Sequence, residues 1–431
     1  LELSSGLSGG QDNVRYALGV SHTDDKGFSS TNPTVPFGNY NPDRDAFKQK
    51  AFNASVDWQL NSDWKLSAGA VYADGTNHFD DGPGVDTKSD ARTTVLRAGV
   101  EGRITPDWTT RLNYNQGTDR SNALVSASAF NIPGLFETQQ DQWTWQNDVK
   151  TPIGTVVAGA ETLLQKVNSS TAYTVTERRI NAVFAGLSGT ASGHSWQLNA
   201  RRDDNSQFGG SSTGYAGYGY QFNPNWRAHA GYGTSFVAPS FNQLYWPGFG
   251  NALLEPEEGK NLEFGVDWTQ DNHHVKLIRF DNKIRGFITS GKAPVNLPRA
   301  RIEGWTLGYD GTFDALSLRA AVDALDPRNE LTGKMLPRRS KSQVTLGADY
   351  SVGAWNFGGS LLQVGRRYDD AANAKPLASY TTVDLQASYA FARDWNVQAK
   401  LNNVGDREYE TAQGYNQPGR QFFVTLRYSP K

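Results

Sequence analysis

The sequence contains no cysteine and a single methionine among its 431 residues. Without cysteine there is no disulfide framework and no thiolate that could act as a nucleophile or hold a metal. No window approaches the run of about 18 apolar residues that a transmembrane helix needs, so helical membrane spans are excluded. A large excess of one charge is also missing: 42 basic and 44 acidic residues give a net charge of -2. This balance offers no surface for nucleic acid.

Apolar residues are scarce, but aromatic residues are not. Hydrophobic residues make up 37% of the chain and the mean hydropathy is -0.59, yet 12% of the residues are aromatic. Disordered chains are poor in aromatic residues, so disorder is excluded. A globular chain of this length would normally divide into two or three domains around large apolar cores. The composition argues against that arrangement.

Apolar and polar side chains alternate along much of the chain. One run precedes residues 61–63 and a second follows them; their apolar members are Phe52, Ala54, Val56, Trp58, Leu60, Trp64, Leu66, Ala68, Ala70 and Tyr72. Successive side chains of a strand point to opposite faces, so this pattern predicts two strands joined by a tight turn. One face of each strand is apolar and the other is polar.

A tryptophan follows the same kind of polar corner four times, in "NSDW", "TPDW", "NPNW" and "ARDW". These tryptophans are Trp64, Trp108, Trp226 and Trp395. An indole at a lipid–water boundary keeps its body in lipid and its N–H in water, which explains a fixed position next to a turn. The alternative is a large soluble β-protein with tryptophan in its core. Four tryptophans at one position relative to a turn would fill such a core poorly.

Short turns on one side and long loops on the other predict a transmembrane antiparallel β-barrel. The predicted short turns lie near 8–13, 61–63, 105–107, 150–154, 189–194, 223–225, 269–273, 314–315, 351–354 and 392–394. Ten turns join twenty strands, and "RQFFVTLRYS" adds one more, which makes about twenty-one. Bacterial single-chain barrels have even numbers of strands, so we expect the first strand to precede Leu1. A wall of about 22 strands encloses a lumen wide enough to need a plug.

Several segments resemble those of TonB-dependent outer-membrane receptors. They are "YGTSFVAPSFNQLYWPGFGNALLEPEE", "NNVGDREYE" and "GYNQPGRQFFVTLRY". Within that family, "ARRDDNSQFG", "RARIEGW", "LPRRSKSQV" and "VGRRYDD" are similar to cobalamin receptors. The resemblance implies that residues 1–431 form the barrel domain of the 22-stranded receptor type, with the N-terminal plug and the first strand outside this sequence.

The resemblance also implies a function. It implies TonB-dependent uptake of cobalamin or a related corrinoid across the Gram-negative outer membrane, with this chain as the wall and the ligand-binding loops. The implied partners are the TonB complex acting through the plug, outer-membrane lipid and, as an open question, a surface lipoprotein. A siderophore receptor on the same scaffold and a passive pore without a plug are the alternatives.

Two acidic loops are candidates for a cation site. They contain Asp43 and Asp45 in one loop and Asp80 and Asp86 in the other. Calcium prefers six to eight oxygen ligands, which such loops can supply, but their spacing is equally compatible with a solvated acidic surface. The resemblance implies that these four aspartates bind calcium. It also implies an acidic ligand at the position of Ser29, so we expect one ligand fewer.

Five aromatic residues are candidate ligand contacts. The resemblance assigns Phe79 and Tyr415 to the corrinoid. Tyr368, Trp246 and Phe249 lie on predicted outer loops, where they either contact the ligand or pack the loops together. Large flat ligands are held by apolar surfaces with a few polar contacts, which suits such residues.

An enzyme is the remaining alternative. Among six histidines, His22 with Asp24 and Asp25 is the pairing that suits a surface hydrolase. A solvated histidine near acids is much commoner than a catalytic pairing of this kind. We therefore predict that the chain has no enzymatic function.

Overall fold

The computed structural model of the protein describes residues 1–125, 133–290 and 293–430, without the side chains of Asp86 and Ser290. Strands dominate it. The strands of the large sheet are β1 Glu2–Gln11, β2 Val14–Asp25, β3 Phe47–Gln59, β4 Trp64–Asp80, β5 Asp86–Thr105, β6 Trp108–Leu124, β7 Gly134–Thr151, β8 Gly154–Ser169, β9 Glu177–Ala191, β10 His194–Asn205, β11 Gly209–Gln221, β12 Trp226–Val237, β13 Glu257–Gln270, β14 His273–Ser290, β15 Pro294–Phe313, β16 Leu316–Asn329, β17 Ser342–Val352, β18 Trp355–Val364, β21 Tyr380–Ala392, β22 Trp395–Asn402 and β25 Gln421–Tyr428.

The remaining elements are short and belong to the long loops. Two small hairpins pair β19 Arg367–Tyr368 with β20 Pro376–Leu377 and β23 Glu410–Ala412 with β24 Tyr415–Asn416. Helix α1 covers Phe241–Tyr245, and a 3-10 turn covers Pro36–Gly38. Among the described residues, no helix combines the length and the apolar character required to cross a bilayer.

The large sheet contains 21 strands, and each pairs antiparallel with the next in chain order. This confirms the predicted fold class and strand number. Each of the ten predicted short turns overlaps the link between two consecutive strands of this sheet. In the part of the chain that the structure describes, β1 pairs only with β2, and β25 pairs only with β22.

Contacts between the first and last long loops show that the sheet curves into a barrel. We call residues 26–46 the first loop and residues 403–420 the last loop. Thr31 and Tyr415 form an antiparallel bridge. The backbone N–H of Asn416 donates to the carbonyl of Ser30 at 2.9 Å, and that of Asn32 donates to the carbonyl of Gly414 at 2.9 Å. These loops adjoin opposite ends of the sheet, so β1 and β25 lie on either side of one seam.

The two faces of the wall differ as the alternation predicts. On β13, Leu262, Phe264 and Trp268 share one face, whereas Glu263 and Asp267 lie on the other. Because lipid-facing positions of a barrel are apolar and luminal positions are polar, the first face is the outer one.

The rim with the short turns, here called the turn rim, is built by local hydrogen bonds. The Asn61 side-chain oxygen accepts from the backbone N–H groups of Asp63 at 2.9 Å and Trp64 at 3.0 Å. Asn223 repeats this arrangement with Asn225 and Trp226, at 2.9 and 3.0 Å. Asparagine favours such turns because its side chain mimics the backbone. The polar corner before each of these tryptophans is therefore a turn motif.

Each of the four predicted boundary tryptophans is the first residue of a strand, and each is 37–46% exposed. Trp355 begins β18 in the same way and lies against Phe357 and Tyr389. This row of aromatic residues lies at the turn rim.

Packed apolar clusters lie at the opposite rim, here called the loop rim. One cluster consists of Val167, Tyr173 and Phe241, with Phe136 and Trp246 packed against it. Another consists of Phe287, Ala300 and Leu336, with Ile284, Leu297 and Ile302 packed against it. The tertiary core therefore holds the long loops together.

Candidate functional site

Three of the four predicted aspartates meet at the loop rim. Ligand oxygens of Asp43, Asp45 and Asp80 all lie within 4.8 Å of one another. Asp43 and Asp45 end the first loop, and Asp80 is the last residue of β4. We call these three residues the acidic cluster. The proximity of the two acidic loops follows from the pairing of β3 with β4.

The first loop is shaped so that Asp45 faces the other two carboxylates. The backbone N–H of Asp45 donates to the carbonyl of Phe28 at 3.0 Å, and the Asp45 side chain accepts from the N–H of Ser30 at 2.8 Å. Gly27 has φ +63°, and a Cβ atom there would lie 1.8 Å from the Asp45 carbonyl oxygen. Only glycine tolerates this left-handed conformation and this close approach, so Gly27 sets the position of Asp45.

Asp80 is the most buried member of the acidic cluster, at 8% exposure. One oxygen accepts from the Thr31 hydroxyl, and the other has no hydrogen-bond partner in the described part of the chain. Burial raises the pKa of the Asp80 carboxyl; the Thr31 hydrogen bond opposes this, and the charges of Asp45 and Asp43 add to it. A bilayer is crossed in about 10 residues, so Asp80, the 17th residue of β4, lies beyond the lipid.

The acidic cluster fits a hard divalent cation. A buried carboxylate oxygen without a donor, next to two other carboxylates, is costly unless positive charge compensates it. Oxygen-only ligands of this kind are those that calcium prefers.

Two further positions, Asp86 and Ser29, were considered as cation ligands in the sequence, and they differ in the ligand atoms that they can offer. Asp86 begins β5 and lies opposite Asp80 in the strand register, but its side chain lies outside the described residues. The Ser29 hydroxyl donates to the carbonyls of Thr31 at 3.1 Å and Asn41 at 3.2 Å. Ser29 therefore stabilises the first loop and supplies no carboxylate.

Phe79 and Tyr415 lie near the acidic cluster. Phe79 is half-buried next to Asp80, and its carbonyl accepts from the Thr87 hydroxyl. Tyr415 is 45% exposed and pairs with Thr31, whose hydroxyl contacts Asp80. Thr31 thus connects Tyr415 to the acidic cluster, whereas Phe79 precedes Asp80 in β4 and its side chain points to the opposite face of the strand.

The other three aromatic candidates, or their neighbours, contact other parts of the loop rim. Trp246 packs with Tyr173, with ring centres 6.5 Å apart and planes at 82°, and its carbonyl accepts from the Phe249 N–H at 3.1 Å. Trp246 therefore packs the loop around α1. Tyr368 is half-buried, and its neighbour Asp369 accepts from the N–H of Gln413 in the last loop at 3.2 Å. Tyr368 is the one of the three that adjoins the last loop.

The structure adds polar residues that the sequence did not single out. The Asn416 amide donates to the carbonyls of Ser29 at 3.0 Å and Thr31 at 2.8 Å, and the Asn32 amide donates to Glu410 at 2.6 Å. These bonds join the first loop to the last loop. Asn416 lies beside Tyr415 in "GYNQPGR", so its place in this motif could have identified it from the sequence. No sequence motif marks Thr31.

The two aspartates of the candidate hydrolase pairing, Asp24 and Asp25, bind groups other than His22. Asp24 forms a salt bridge with Lys48 at 3.3 Å, and Asp25 accepts from the N–H of Gly27 at 2.8 Å. The Nδ1 atom of His22 has no hydrogen-bond partner among the described residues. Neither aspartate therefore accepts a hydrogen bond from this Nδ1 atom in the described chain.

Comparison with known sequences gives two findings. The family described as "TonB dependent receptor-like, beta-barrel" matches residues 118–404. The vitamin B12 transporter BtuB of Photobacterium profundum is 29% identical over 405 residues, which cover 90% of this chain and 66% of that protein. The chain thus spans just under two thirds of the length of this relative.

Comparison with solved structures gives the same architecture. The siderophore receptor PirA from Acinetobacter baumannii superposes with a TM-score of 0.83 at 15% identity, covering 99% of this chain and 77% of that chain. A mutant of the ferric enterobactin receptor PfeA from Pseudomonas aeruginosa superposes with a TM-score of 0.82 at 15% identity, with the same coverage. At this level of identity the similarity shows the fold alone.

Proposed function

Because the chain belongs to the TonB-dependent receptor-like β-barrel family and resides in the outer membrane of Gram-negative bacteria, we propose that it is the wall and ligand-binding rim of a receptor for cobalamin or a related corrinoid. Uptake would require the TonB complex, acting through a plug in the lumen. A surface lipoprotein is a further partner that the exposed loop rim could accept. No chemical reaction is part of this function.

One observation carries the proposal: Thr31 joins the acidic cluster to Tyr415. Tyr415 presents an exposed ring, and Phe79 lies next to the buried Asp80. A flat macrocycle needs apolar surfaces held in a fixed arrangement by a few polar groups. The similarity to the BtuB transporter over 90% of the chain supports a corrinoid rather than another ligand.

We propose that Asp43, Asp45 and Asp80 bind calcium, with Asp86 as a candidate fourth ligand. A bound cation would compensate the three negative charges and join the first loop to the end of β4. Because the first loop also contacts the last loop, ordering it would place Tyr415 for ligand binding.

We also propose that an additional strand lies in the seam between β1 and β25. Both strands have an unpaired edge in the described chain. Lipid offers no hydrogen-bond partner to such an edge, so a further strand would complete the wall.

Equilibrium binding to the full-length receptor tests the ligand. We expect cyanocobalamin to bind in the nanomolar range and ferric siderophores to bind far more weakly. Phe79→Ala and Tyr415→Ala should each weaken cobalamin binding about tenfold, the loss of one aromatic contact. Leu253→Ala, at an exposed position of another long loop, should leave it unchanged.

A siderophore receptor is the competing function, because the solved structures with this fold include receptors for ferric enterobactin and other siderophores. Binding of ferric enterobactin without binding of cyanocobalamin would replace the corrinoid proposal with this one. Binding of neither ligand would reject both.

Calorimetric titration of calcium into the detergent-solubilised protein tests the metal proposal. We expect Asp80→Asn to abolish calcium binding, and calcium to protect the first loop of the wild-type protein from proteolysis. Asp119→Asn, in a position away from the acidic cluster, is the matched control. Unchanged calcium affinity in Asp80→Asn would show that the acidic cluster is only a solvated acidic surface.

A further inference from the structure

A row of amide side chains crosses the luminal face of β10–β14 around one tyrosine. Residues directly opposite one another in paired strands point to the same side of a sheet. The strand register places five residues in one row, namely Asn199, Tyr215, Gly233, Asn261 and Asn282. Asn261 shares a face of β13 with Glu263, so the whole row faces the lumen. We call Asn199, Asn261 and Asn282 the amide row.

The amide row lies at the height of the membrane, well below the loop rim. Gly233 follows Trp226 by seven residues, and Asn261 precedes Trp268 by seven residues. Trp268 lies opposite Trp226, which begins β12 at the turn rim. Seven residues of a tilted strand rise roughly 18 Å, which is less than the height of the apolar band. The amide row is therefore separate from the acidic cluster and Tyr415.

The Tyr215 ring lies flat against the wall because glycines leave room beneath it. A Cβ atom would lie 2.7 Å from the Tyr215 hydroxyl oxygen if placed at Gly217, and 2.6 Å from it if placed at Gly231. At Gly233, a Cβ atom would lie 3.2 Å from the ring. Glycine within a strand marks a close approach, which here is that of the ring. One face of the ring covers the glycines, so the other face is directed into the lumen.

Two cavities share Tyr215 as part of their lining. The first has a volume of about 500 Å³ and also contacts Asn199 and Phe184. The second has a volume of about 520 Å³ and also contacts Asn261 and Phe280. Each cavity is therefore bordered by aromatic rings and by a member of the amide row. Apolar surfaces with a few polar groups are the usual lining of a ligand site.

The side chains of the amide row are available to a molecule in the lumen. Among the described residues, none of the three side-chain amides has a hydrogen-bond partner. Each carboxamide has two N–H donors and one accepting oxygen. Carboxamide groups of a ligand can donate to and accept from such side chains in the same way.

An amide elsewhere on the wall provides a comparison. Asn115 follows Trp108 by seven residues, so it lies at the same height as Asn261. It faces the lumen, because it lies opposite Arg97 and Arg97 lies opposite Gly69 on the polar face of β4. Its partner on the other side is Gln142, so no aromatic ring lies opposite it. The combination of an amide with a flat ring is a property of the amide row.

We propose that the amide row and Tyr215 form a transit site, which binds the ligand in the lumen after it has left the loop rim. The ligand is a large ring whose apolar surface is bordered by carboxamide groups. This inference rests on the proposed function, since a corrinoid has a methyl-bearing ring edged with carboxamides. The ring packs on Tyr215, and the carboxamides form hydrogen bonds with the amide row.

Thiol labelling of the full-length receptor in cells with an energised TonB complex tests the transit site. The chain has no cysteine, so Asn261→Cys introduces one thiol into it and leaves two members of the amide row. Asn115→Cys is the matched control, because both positions are half-buried at one height. We expect saturating cyanocobalamin to slow labelling of Asn261→Cys by a methanethiosulfonate reagent about fivefold relative to Asn115→Cys, because an occupied site excludes the reagent.

Two substitutions of the ring sharpen the test. Tyr215→Leu in the Asn261→Cys background should abolish this protection, whereas Tyr215→Phe retains the ring and should keep it. Without an energised TonB complex the ligand stays at the loop rim, so the protection should disappear. Equal slowing at Asn115→Cys and Asn261→Cys would overturn the proposal, since the ligand would then only obstruct the lumen. Failure of the reagent to label Asn261→Cys without ligand would also overturn it.

Equilibrium binding of cyanocobalamin to the same variants separates the transit site from the proposed function. We expect Asn261→Cys and Tyr215→Leu to bind cyanocobalamin at the loop rim with wild-type affinity. Wild-type affinity without protection of Asn261→Cys would reject the transit site alone. No binding of cyanocobalamin by the wild-type receptor would reject both proposals.

Discussion

The two rims of this barrel are stabilised by different kinds of contact. At the turn rim, Asn61 bonds to residues two and three positions away. At the loop rim, the Asn32 amide bonds to Glu410, 378 positions along the chain. The turn rim can therefore form strand by strand, whereas the loop rim requires that the sheet has already curved round.

The rims also differ in what surrounds their aromatic residues. Trp64, Trp108 and Trp226 begin strands at the turn rim and remain exposed to the lipid–water boundary. Tyr173 at the loop rim is buried against Phe241 and Trp246. Lipid stabilises the first group and protein packing stabilises the second. Substitutions at the two rims should therefore have separable effects.

The largest expected effect is at the contact between the first and last loops. Gly414 has φ +80°, and a Cβ atom there would lie 2.1 Å from the Cα atom of Val35. Gly414→Val should cost about 3 kcal/mol or more in loop packing, since both the strain and the overlap must be relieved. In the Gly414→Val variant, limited proteolysis should cleave the first loop, whereas circular dichroism should show that the barrel is intact.

Gly405 in the same loop is the control for Gly414. A Cβ atom at Gly405 would meet no atom within 4 Å. Gly405→Ala should leave the protease resistance of both loops unchanged. Equal resistance of Gly414→Val and the wild-type protein would show that the loop–loop contact is not needed for order at this rim.

A second, smaller effect depends on pH. Burial raises the pKa of Tyr173 to about 12 from its usual value of 10. Its hydroxyl donates to the Asn242 side chain at 2.7 Å. Because the folded loop holds the proton more tightly than the unfolded one, this stabilisation is complete below pH 10 and is lost as the pH rises to about 12. The resulting decrease in the free energy that stabilises the folded loop should reach up to about 2 kcal/mol.

Protease resistance of the loop rim, followed from about pH 9 to about pH 12, measures this loss. Tyr173→Phe should be less stable at neutral pH but should show a smaller decrease at high pH. Tyr428→Phe, which alters a tyrosine at the turn rim, should retain the wild-type alkaline profile. If Tyr173→Phe and the wild-type protein lose resistance in parallel, ionisation of Tyr173 is not the cause.

The smallest effect is expected at a single turn. Asn61→Ala removes two side-chain hydrogen bonds to the backbone, and it should lower the free energy of unfolding by about 1 kcal/mol. Denaturant unfolding in lipid vesicles measures this, with Asn223→Ala as a second example of the motif. Protease resistance of the loop rim should not change. A loss of loop resistance in Asn61→Ala would contradict the independence of the two rims.

The elements of the wall could be predicted because their signals are local. The alternation from Phe52 to Tyr72 and the corners before Trp64 and Trp226 indicated the strands and turns. The acidic cluster was predicted only in part, since spacing alone left its three aspartates open between a cation site and a solvated surface. Trp246 was left open between ligand contact and loop packing, because its partners come from distant loops.

The sequence by itself determined the period of the strands, the position of each turn and the row of boundary tryptophans, because each depends on neighbouring residues and on the surrounding solvent. Only the tertiary structure decided that Thr31 meets both Asp80 and Tyr415. Such contacts depend on strand register and on the closure of the sheet. Both are properties of the assembled barrel, set by many residues together and encoded by no single segment.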